Sequence, residues 1–325
     1  MENRRFLVAI FATLALGALA PVSAQAQPYP SKVVRIVVPF SPGSATDILA
    51  RMVGEKLNAQ WGQPFIVENR PGAGGTIGTG LAAKSKPDGY TLVVVSAGHV
   101  VNPAIYDNLP YDTLRDFAGI IPLASLPSVL TVPRSLGVKS VQELVALAKA
   151  KPGQLNYASG GVGSASHVNA EKFRTATGID AVHVPLKGAP EMMTEMLGGR
   201  LQFGFLPLIA ATPMLKDGKL LALAVSGGKR APGFPDVPTI GEAGVPGAEF
   251  NFWIGMLAPA KTPRDIVTRL NVEIAKIVQL AEIAARFASL GAEPFVLSPE
   301  VFDAFIKEEF ATLGPIMKAA GAKAK

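Results

Sequence analysis

The segment at residues 33–47, VVRIVVPFSPGSATD, constrains the fold more than any other part of the chain. Its β-branched run from Val33 to Val38 is typical of a buried strand, and Pro39 ends that run. After a loop of small residues, apolar side chains recur at helical spacing, which predicts a helix over residues 48–61. A buried strand that turns through a Gly/Ser loop into a helix is the first unit of a βαβ fold.

This loop has two possible roles. Backbone N–H groups and the positive end of a helix dipole converge there, which suits a carboxylate or a phosphate. A βα turn that binds nothing needs the same residues, so the segment by itself leaves both readings open.

A second unit of the same kind follows further along the chain. A short strand is predicted over residues 155–158, then a Gly/Ser loop over 159–167, and then a helix over 168–175. Ligands of open α/β sheets lie at the carboxyl ends of the strands. Two lobes that each present such a loop across a cleft are expected to hold a small molecule with an anionic group at one or both ends.

Strands alternate with helices throughout, which predicts an α/β fold with mostly parallel sheets. Further strands are predicted at 65–67, 90–95, 117–123, 129–132, 181–184, 203–206, 220–225, 252–257 and 294–296. Further helices are predicted at 76–83, 141–149, 190–197, 210–216, 266–278 and from Ser298 onward, the last with Val301, Phe302, Phe305, Phe310 and Leu313 on its inner face. Residues 232–247 are rich in Pro and Gly and are expected to form an irregular connector.

Composition narrows the class of protein. The 325 residues are 49% hydrophobic, which is enough for about two domains with a sizeable core. The formal net charge is +6, but the basic residues are scattered and lack interleaved aromatic residues. This pattern argues against a nucleic-acid surface. There is no cysteine, hence no disulfide, no lipid-attachment cysteine and no thiolate metal site.

The N-terminus has the pattern of a secretory signal peptide. Arg4 and Arg5 precede an apolar stretch that ends near Ala20, and Ala24-Gln25-Ala26 gives an A-x-A cleavage site. We expect cleavage after Ala26 and a periplasmic mature protein; an uncleaved anchor is the alternative. The full twin-arginine pattern is missing, which favours ordinary secretion.

Catalytic and cofactor motifs are missing from the sequence. His99, His167 and His183 are not at metal-ligand spacing, no serine lies in G-x-S-x-G, and Ile77 stands where a dinucleotide fingerprint needs its last glycine. We therefore expect no metal, no cofactor and no enzyme. The alternative is a secreted serine hydrolase acting on a small ester or amide, with Ser164, His167 and Asp47 brought together in space.

A series of motifs follows the order of one known family. They are VRIVVPFSPGSATDILAR, VENRPGAGGTIG, PDGYTL, NPAIY, LPYD, DF, LNYASGGVGSASH, HVPLKG, LGGRLQF, ALAVSGGKRAPGFPDVPTIGEAG and LAPAKTP. Together they resemble the Bug/TctC family, the extracytoplasmic solute receptors of tripartite tricarboxylate transporters. The resemblance covers nearly all of the chain after the signal peptide, and PGAGG, YASG and FPDVPT are its most specific parts.

The resemblance implies a type II periplasmic-binding-protein-like fold, a Venus flytrap of two α/β lobes with a ligand cleft between them. Lobe 1 would span residues 27–124 and 248–325, and lobe 2 would span 125–247, with the hinge near 123–126 and 248–252. It implies a non-catalytic monomer that captures a small organic carboxylate, either an aliphatic di- or tricarboxylate or an aromatic carboxylate. The implied partners are the two membrane subunits of a transporter, or a sensor protein.

The family's binding positions map onto three loops here, where backbone N–H groups and hydroxyls would hold carboxylate oxygens without an arginine clamp. Asp47 is expected to cap the helix at Ile48, and His167 to pack at a helix start. The implied ligand-binding residues are Phe40, Ser41, Gly43, Ser44, Ala45, Thr46, Asp47, Ser96, Gly98, His99, Ser159, Gly163, Ser164, Ala165, Ser166 and Leu206.

The sequence departs from the family pattern in three places. Ser44 and Ala45 stand where glycines are usual, Leu186 replaces a frequent tyrosine, and Leu206-Pro207 replaces a frequent Asp-Asn. The missing acid would leave a ligand amino group facing an apolar wall. We therefore expect a carboxylate with an apolar or aromatic body rather than an acidic amino acid.

Overall fold

The computed structural model describes residues 29–289 and 291–319 together with Lys323. The predicted signal peptide lies outside the described residues and stays a prediction. The chain divides into two units, Met1–Ser31 and Lys32–Lys325, and the fold described here is that of the second unit. None of the described helices is both long enough and apolar enough to cross a membrane.

Ten strands and ten helices make up the described part of this unit. The strands are β1 Val34–Val38, β2 Phe65–Asn69, β3 Thr91–Ser96, β4 Phe117–Pro133, β5 Asn156–Ser159, β6 Val182–Pro185, β7 Phe203–Pro207, β8 Leu220–Val225, β9 Asn251–Pro259 and β10 Glu293–Pro294. The helices are α1 Ala45–Trp61, α2 Thr76–Ala83, α3 Gly98–Ile105, α4 Val141–Ala150, α5 Ala165–Thr177, α6 Ala189–Leu197, α7 Leu208–Lys216, α8 Arg264–Gln279, α9 Ala281–Ser289 and α10 Pro299–Ala319.

These strands form two sheets that share β4. The first sheet has the order β2-β1-β3-β9-β4, with β10 also paired to β4. The second has the order β4-β7-β5-β6, with β8 also paired to β4. We call each sheet with its covering helices a lobe. Each lobe contains one of the strand–loop–helix units found in the sequence, β1–α1 in the first and β5–α5 in the second.

The expectation of mostly parallel sheets is wrong at the centre of the fold. Strand β1 pairs in parallel with β2 and β3, and β5 pairs in parallel with β6 and β7, as βαβ crossovers require. The described pairs that involve β4 or β9 are antiparallel. The chain passes from the first lobe to the second along β4 and returns to the first lobe at β9, so these two strands run in opposite directions.

Strand β4 changes its partner at Ser128. Up to Pro127 it runs antiparallel to β9, where Pro127 faces Asn251, and from Ser128 it pairs with β7. The two strands predicted from the sequence, 117–123 and 129–132, are the two ends of this one strand. The ladder tolerates Pro122, which cannot donate a hydrogen bond, because the register shifts beside it. The predicted lobe boundaries at 124/125 and 247/248 lie close to this change of partner and remain predictions.

Both faces of the second sheet are covered. Phe173, Phe203 and Phe205 belong to a core under α4 and α5, whereas Met192 and Leu208 belong to a second core under α6 and α7. Successive residues of β7 alternate between the two cores, because side chains on a strand point to opposite faces in turn.

Most predicted elements are present with boundaries shifted by a few residues. The largest omission is α3, a helix that the sequence pattern did not predict; Pro103 is tolerated inside it in spite of the lost N–H. The predicted inner face of α10 is right for Phe302 and Leu313, which are buried, and wrong for Val301, which is 52% exposed.

The ring of Phe302 is the main anchor of α10 on the first sheet. It lies edge-on to Trp253, with ring centroids 5.4 Å apart. A Cβ on Gly255 would lie 2.4 Å from the Phe302 ring, and one on Gly119 would lie 2.9 Å from it. The two glycines therefore leave the space that the ring fills.

We predict that Phe302→Ala lowers the free energy of unfolding by about 3–5 kcal/mol, since it opens a cavity over these glycines. The neighbouring Val301→Ala is the matched control and should change stability by less than about 0.5 kcal/mol, because Val301 is exposed. Urea denaturation of both variants measures the difference. Equal losses would show that α10 is not anchored through Phe302.

Candidate functional site

The first loop, residues 39–44, leads from β1 to α1 and is fixed by reciprocal capping. Ser44 is the N-cap, and its side chain accepts a hydrogen bond from the backbone N–H of Asp47 at 3.4 Å. In return, Oδ2 of Asp47 accepts from the backbone N–H of Gly43 at 2.9 Å. The expected cap was wrong: the helix begins at Ala45, so Ser44 caps it and Asp47 lies in its first turn.

The second loop, residues 160–164, leads from β5 to α5 with the same geometry. Ser164 is the N-cap and accepts from the N–H of His167 at 3.4 Å. The ring atom Nδ1 of His167 accepts from the N–H of Gly163 at 3.1 Å. The imidazole of His167 thus accepts the hydrogen bond that corresponds to the one accepted by the carboxylate of Asp47 in the first loop.

The correspondence between the two loops extends to backbone angles and hydroxyls. Gly43 and Gly163 have φ of 81° and 84°, a left-handed conformation that favours glycine. The Ser44 hydroxyl lies 3.0 Å from that of Thr46, and the Ser164 hydroxyl lies 3.0 Å from that of Ser166. Each loop therefore presents a paired hydroxyl beside the N-terminus of a long helix, where backbone N–H groups lack partners within the helix.

Both helix N-termini border one cavity of about 40 Å³. The residues lining it are Phe40, Ser44, Ala45, Thr46, Ser96, Gly160, Ser164, Ala165, Ser166, Gly188, Ala189, Met192, Pro207, Phe252 and Ile254. Its polar side chains are hydroxyls from the two loops and from Ser96, and the rest of its wall is apolar. None of these lining residues is charged. Among the groups that border the cavity, the two helix N-termini are therefore the source of positive potential.

Eight of the residues predicted from the sequence line this cavity. They are Phe40, Ser44, Ala45, Thr46, Ser96, Ser164, Ala165 and Ser166. The other eight do not line it. They are Ser41, Gly43, Asp47, Gly98, His99, Ser159, Gly163 and Leu206. Some of this second group hold the loops in place, and the others pack elsewhere or contact the opposite lobe.

Asp47 is engaged by its own lobe. Its carboxylate accepts hydrogen bonds from Arg51 at 3.0 Å and from the Asn69 amide at 2.8 Å, besides that from Gly43. Burial alone would raise the pKa of Asp47, but these three donors outweigh it and leave the pKa below its ordinary value. Asp47 is therefore an ionised support of the first loop.

His99 and Leu206 are packed away from the cavity. The imidazole of His99 is stacked on Tyr111 and lies edge-on to Phe117, with centroids 5.7 Å and 5.1 Å away, and it borders a different cavity. Leu206 belongs to the core under α6 and α7. Pro207, the last residue of β7, lines the cavity instead of Leu206.

Four predicted residues pack against other parts of the protein and do not line the cavity. They are Ser41, Gly98, Ser159 and Gly163. Ser41 Oγ donates to Glu191 of the second lobe at 2.6 Å, and Gly98 lies against Gly163 across the cleft. Ser159 is fully buried and pairs with Nε2 of His183 at 2.6 Å. These positions shape the site from behind or join its two sides.

Sequence reasoning missed seven lining residues. They are Gly160, Gly188, Ala189, Met192, Pro207, Phe252 and Ile254. The spacing of Phe252 and Ile254 on one face of β9 could have indicated a shared wall, and so could that of Ala189 and Met192 on α6. Which face turns to the cleft depends on how the two sheets meet at β4, and no local pattern encodes that.

A buried polar network lies behind the second loop. The rings of His167 and His183 are stacked, with centroids 4.1 Å apart. Oε1 of Glu171 is 3.6 Å from Nε2 of His167, and Glu171 also bonds the Tyr157 hydroxyl and the Arg174 guanidinium. Burial, with Arg174 nearby, lowers the pKa of His167 to about 4. Burial and the neighbouring His167 lower the pKa of His183 to about 3.

The arrangement does not favour the hydrolase alternative. The Ser164 hydroxyl bonds Ser166 and the backbone of His167, whereas Nδ1 of His167 is occupied by Gly163. The described Ser–His contact is that of Ser159 with His183, and Ser159 is fully buried outside the cavity. No group of three or more metal-ligating side chains occurs among the described residues.

Comparison with known proteins gives consistent matches. Residues 49–322 match the family model described as tripartite tricarboxylate transporter family receptor. The solved structure of R. palustris Rpa4515 with adipate is 36% identical, with a TM-score of 0.88, covering 91% of this chain and 99% of that one. The periplasmic binding protein BugD is 32% identical, with a TM-score of 0.87, covering 91% and 100%.

A third solved structure is MatC from Rhodopseudomonas palustris with bound malate. It is 30% identical, with a TM-score of 0.84, covering 89% of this chain and 99% of that one. These neighbours are two-lobed periplasmic solute-binding proteins, so the type II periplasmic-binding-protein-like fold expected from the sequence is confirmed.

The three histidines predict an acid-sensitive fold. Burial also lowers the pKa of His99 to about 4. Between about pH 6.5 and pH 4 the unfolded chain therefore binds protons that the folded chain excludes. The contribution of the neutral histidines to the free energy of unfolding is fully present above pH 6.5. On acidification it should fall by about 1.4 kcal/mol per pH unit for each histidine. Urea denaturation at several pH values in this range measures the slope.

His99→Phe is the matched variant for this measurement. Neither ring nitrogen of His99 has a hydrogen-bond partner among the described residues, so the replacement removes one titrating group without breaking a bond. The loss of stability per pH unit should be smaller in this variant than in the wild type, since two of the three histidines remain. A stability that does not change between pH 7 and pH 5 would contradict the prediction.

Proposed function

The chain belongs to the tripartite tricarboxylate transporter receptor family, also called Bug/TctC, and we propose that it captures one small organic carboxylate with an apolar body. The observation that carries this proposal is the cavity bordered by two equivalent helix N-termini and lined by hydroxyls but by no charged side chain. The family consists of periplasmic solute receptors, so the open question is which solute this member binds.

The charge of the cavity suits one carboxylate group between the two loops. Each helix N-terminus carries about half a positive charge, so the two together match one carboxylate. The hydroxyls of Ser44, Thr46, Ser164 and Ser166 can donate to its oxygens and add no charge. A second carboxylate on the same ligand would have to lie towards the cleft mouth, where solvent can reach it.

The remaining wall favours an apolar body. Met192, Pro207, Phe252 and Ile254 face the cavity opposite the polar loops, and an alkyl chain or a ring would bury its surface against them. The apolar wall expected at Leu206 is therefore formed by other residues. An acidic amino acid would leave its ammonium group without a carboxylate partner in the cavity wall, because no lining residue is charged. The acids nearby do not line the cavity: Asp47 is held by Arg51 and Asn69, and Glu191 accepts a hydrogen bond from Ser41.

The neighbours' ligands are compatible with this proposal. Adipate and malate are both dicarboxylates, and adipate has a purely methylene body between its two acids. The uncharged, largely apolar wall makes adipate-like or benzoate-like acids better candidates here than the hydroxylated malate.

Export, docking and closure complete the proposal. The N-terminal pattern supports cleavage after Ala26 and release into the periplasm. The bound receptor would then deliver its ligand to the membrane subunits of a transporter, or signal through a sensor protein, acting as a monomer without a cofactor. We place the hinge where β4 changes partner at Ser128, so that the lobes can close over the ligand and exclude water.

We predict that adipate or benzoate stabilises the mature protein and that aspartate and glutamate do not. A ligand at 100 times its Kd adds about 2.7 kcal/mol to the free energy of unfolding, because it binds only the folded state. A thermal-shift screen followed by calorimetry measures this. Tight binding of aspartate or glutamate, without binding of either apolar acid, would overturn the proposed ligand class.

Thr46→Val tests the hydroxyl contribution directly. The replacement keeps the shape of a buried side chain and removes one donor to the ligand, so Kd should rise about 10- to 100-fold. The matched control is Thr262→Val, which removes a buried hydroxyl without a partner among the described residues, away from the cavity. Calorimetry with the best acid of the screen should show an unchanged Kd for the control. Equal affinities for both variants would mean that Thr46 does not contact the ligand.

A further inference from the structure

The two lobes touch backbone to backbone beside the cavity. One face of α3, formed by Gly98, Asn102 and Ile105 at helical spacing, packs against Gly163 of the second loop. A Cβ on Gly98 would lie only 2.5 Å from the carbonyl oxygen of Gly163 and 3.2 Å from Cα of Ser164. Conversely, a Cβ on Gly163 would lie 2.4 Å from Oδ1 of Asn102 and 3.3 Å from Ile105.

Hydrogen bonds join the lobes around this contact. The Tyr106 hydroxyl, just beyond the end of α3, donates to the carbonyl oxygen of Val162 at 2.9 Å. On the other side of the cleft, the N–H of Ser41 donates to the carbonyl oxygen of Lys187 at 3.3 Å, and its hydroxyl donates to Glu191 at 2.6 Å. The structure is therefore a closed form with contacts on both sides of the cavity.

Gly98 differs from the other glycines at this contact. The others have positive φ, so a side chain there would strain the local backbone as well as the contact. They are Gly74 of the first lobe and Gly161 and Gly163 of the second. Gly98 is a residue of α3 with ordinary helical geometry, and an alanine at such a position favours the helix. The three atoms nearest to its added Cβ all belong to the second lobe. A methyl group at residue 98 therefore acts on the contact between lobes and not on the fold of its own lobe.

We propose that Gly98 is the positioning residue that allows the cleft to close, since only a residue without a side chain lets α3 reach the second loop. This rests on the proposed function, in which closure traps the ligand. The backbone of Gly163 cannot yield as a flexible side chain could, because its N–H is tied to His167. A methyl group at residue 98 would hold Ser164 away from Ser44, so that one ligand cannot contact both loops at once.

The absence of cysteine from the chain permits a direct test with a pair of spin labels. Asn108→Cys in the first lobe and Lys187→Cys in the second are both exposed positions. Distances between the labels are measured by pulsed electron paramagnetic resonance, without ligand and with saturating adipate. They are compared in the otherwise wild-type background, with Gly98→Ala and with Gly314→Ala. Gly314 is the matched control, a glycine of α10 whose added Cβ would make only an ordinary 3.6 Å contact within its own lobe.

We expect adipate to shorten the distance in the otherwise wild-type and Gly314→Ala proteins and to leave the longer distance in Gly98→Ala. We also expect Gly98→Ala to bind adipate at least tenfold more weakly while its melting temperature without ligand is preserved. Equal distance distributions in all three backgrounds would overturn the role of Gly98. If no acid binds even the otherwise wild-type protein, the proposed ligand class fails. The role of Gly98 is then tested by the closed, short-distance fraction without ligand, which should be present in the otherwise wild-type and Gly314→Ala proteins and missing from Gly98→Ala.

Tyr106→Phe keeps the proposal testable if Gly98→Ala does not fold. It removes one neutral hydrogen bond between the lobes, so adipate binding should weaken roughly two- to tenfold. The label distance should shift in the same direction as for Gly98→Ala. No change in either measurement would show that this side of the cleft does not contribute to closure.

Discussion

The reciprocal capping of two helices is the interaction on which the site depends. In each lobe a serine caps the helix, and the third helical residue returns a bond to the glycine just before the cap. The loop is thereby fixed while the N–H groups and hydroxyls nearest the cavity keep spare hydrogen-bonding capacity. A site preorganised in this way spends little of its binding free energy on ordering its own groups.

The two loops share geometry but differ in electrostatics. Asp47 brings a negative charge to the first helix N-terminus and is balanced by Arg51, whereas His167 is neutral above about pH 4 and leaves the dipole of α5 unopposed. Arg174 and Glu171 lie one to two turns further along α5 and compensate each other. The second loop should therefore provide the larger share of the attraction for an anion, although the two loops have nearly the same shape.

Much of this arrangement could be predicted from the sequence, because local chemistry decides it. The strand–loop–helix units, the glycines at the turns and the loop hydroxyls follow from residues close together in the chain. The repeated unit already predicted two loops across one cleft, and the family resemblance added the individual ligand-binding positions. What could not be predicted depends on long-range contacts: α3 forms despite Pro103 because it packs against α10, and β4 continues through Pro127 because neighbouring strands support it on both sides. The exchange of Leu206 for Pro207 at the cavity wall has the same cause, since the facing of β7 is set by its pairing with β4.

The sharing of β4 has a consequence for how the protein unfolds. Strand β4 belongs to both sheets. If β4 detaches when one lobe unfolds, the sheet of the other lobe also loses hydrogen bonds. Even with the proposed hinge at Ser128, the unfolding of one lobe is coupled to that of the other through this strand. Loss of one lobe would expose strand edges and apolar surface of the other, so the two should melt together in one cooperative transition. With the proposed hinge, the receptor would open and close by lobe rotation and still unfold in one cooperative transition.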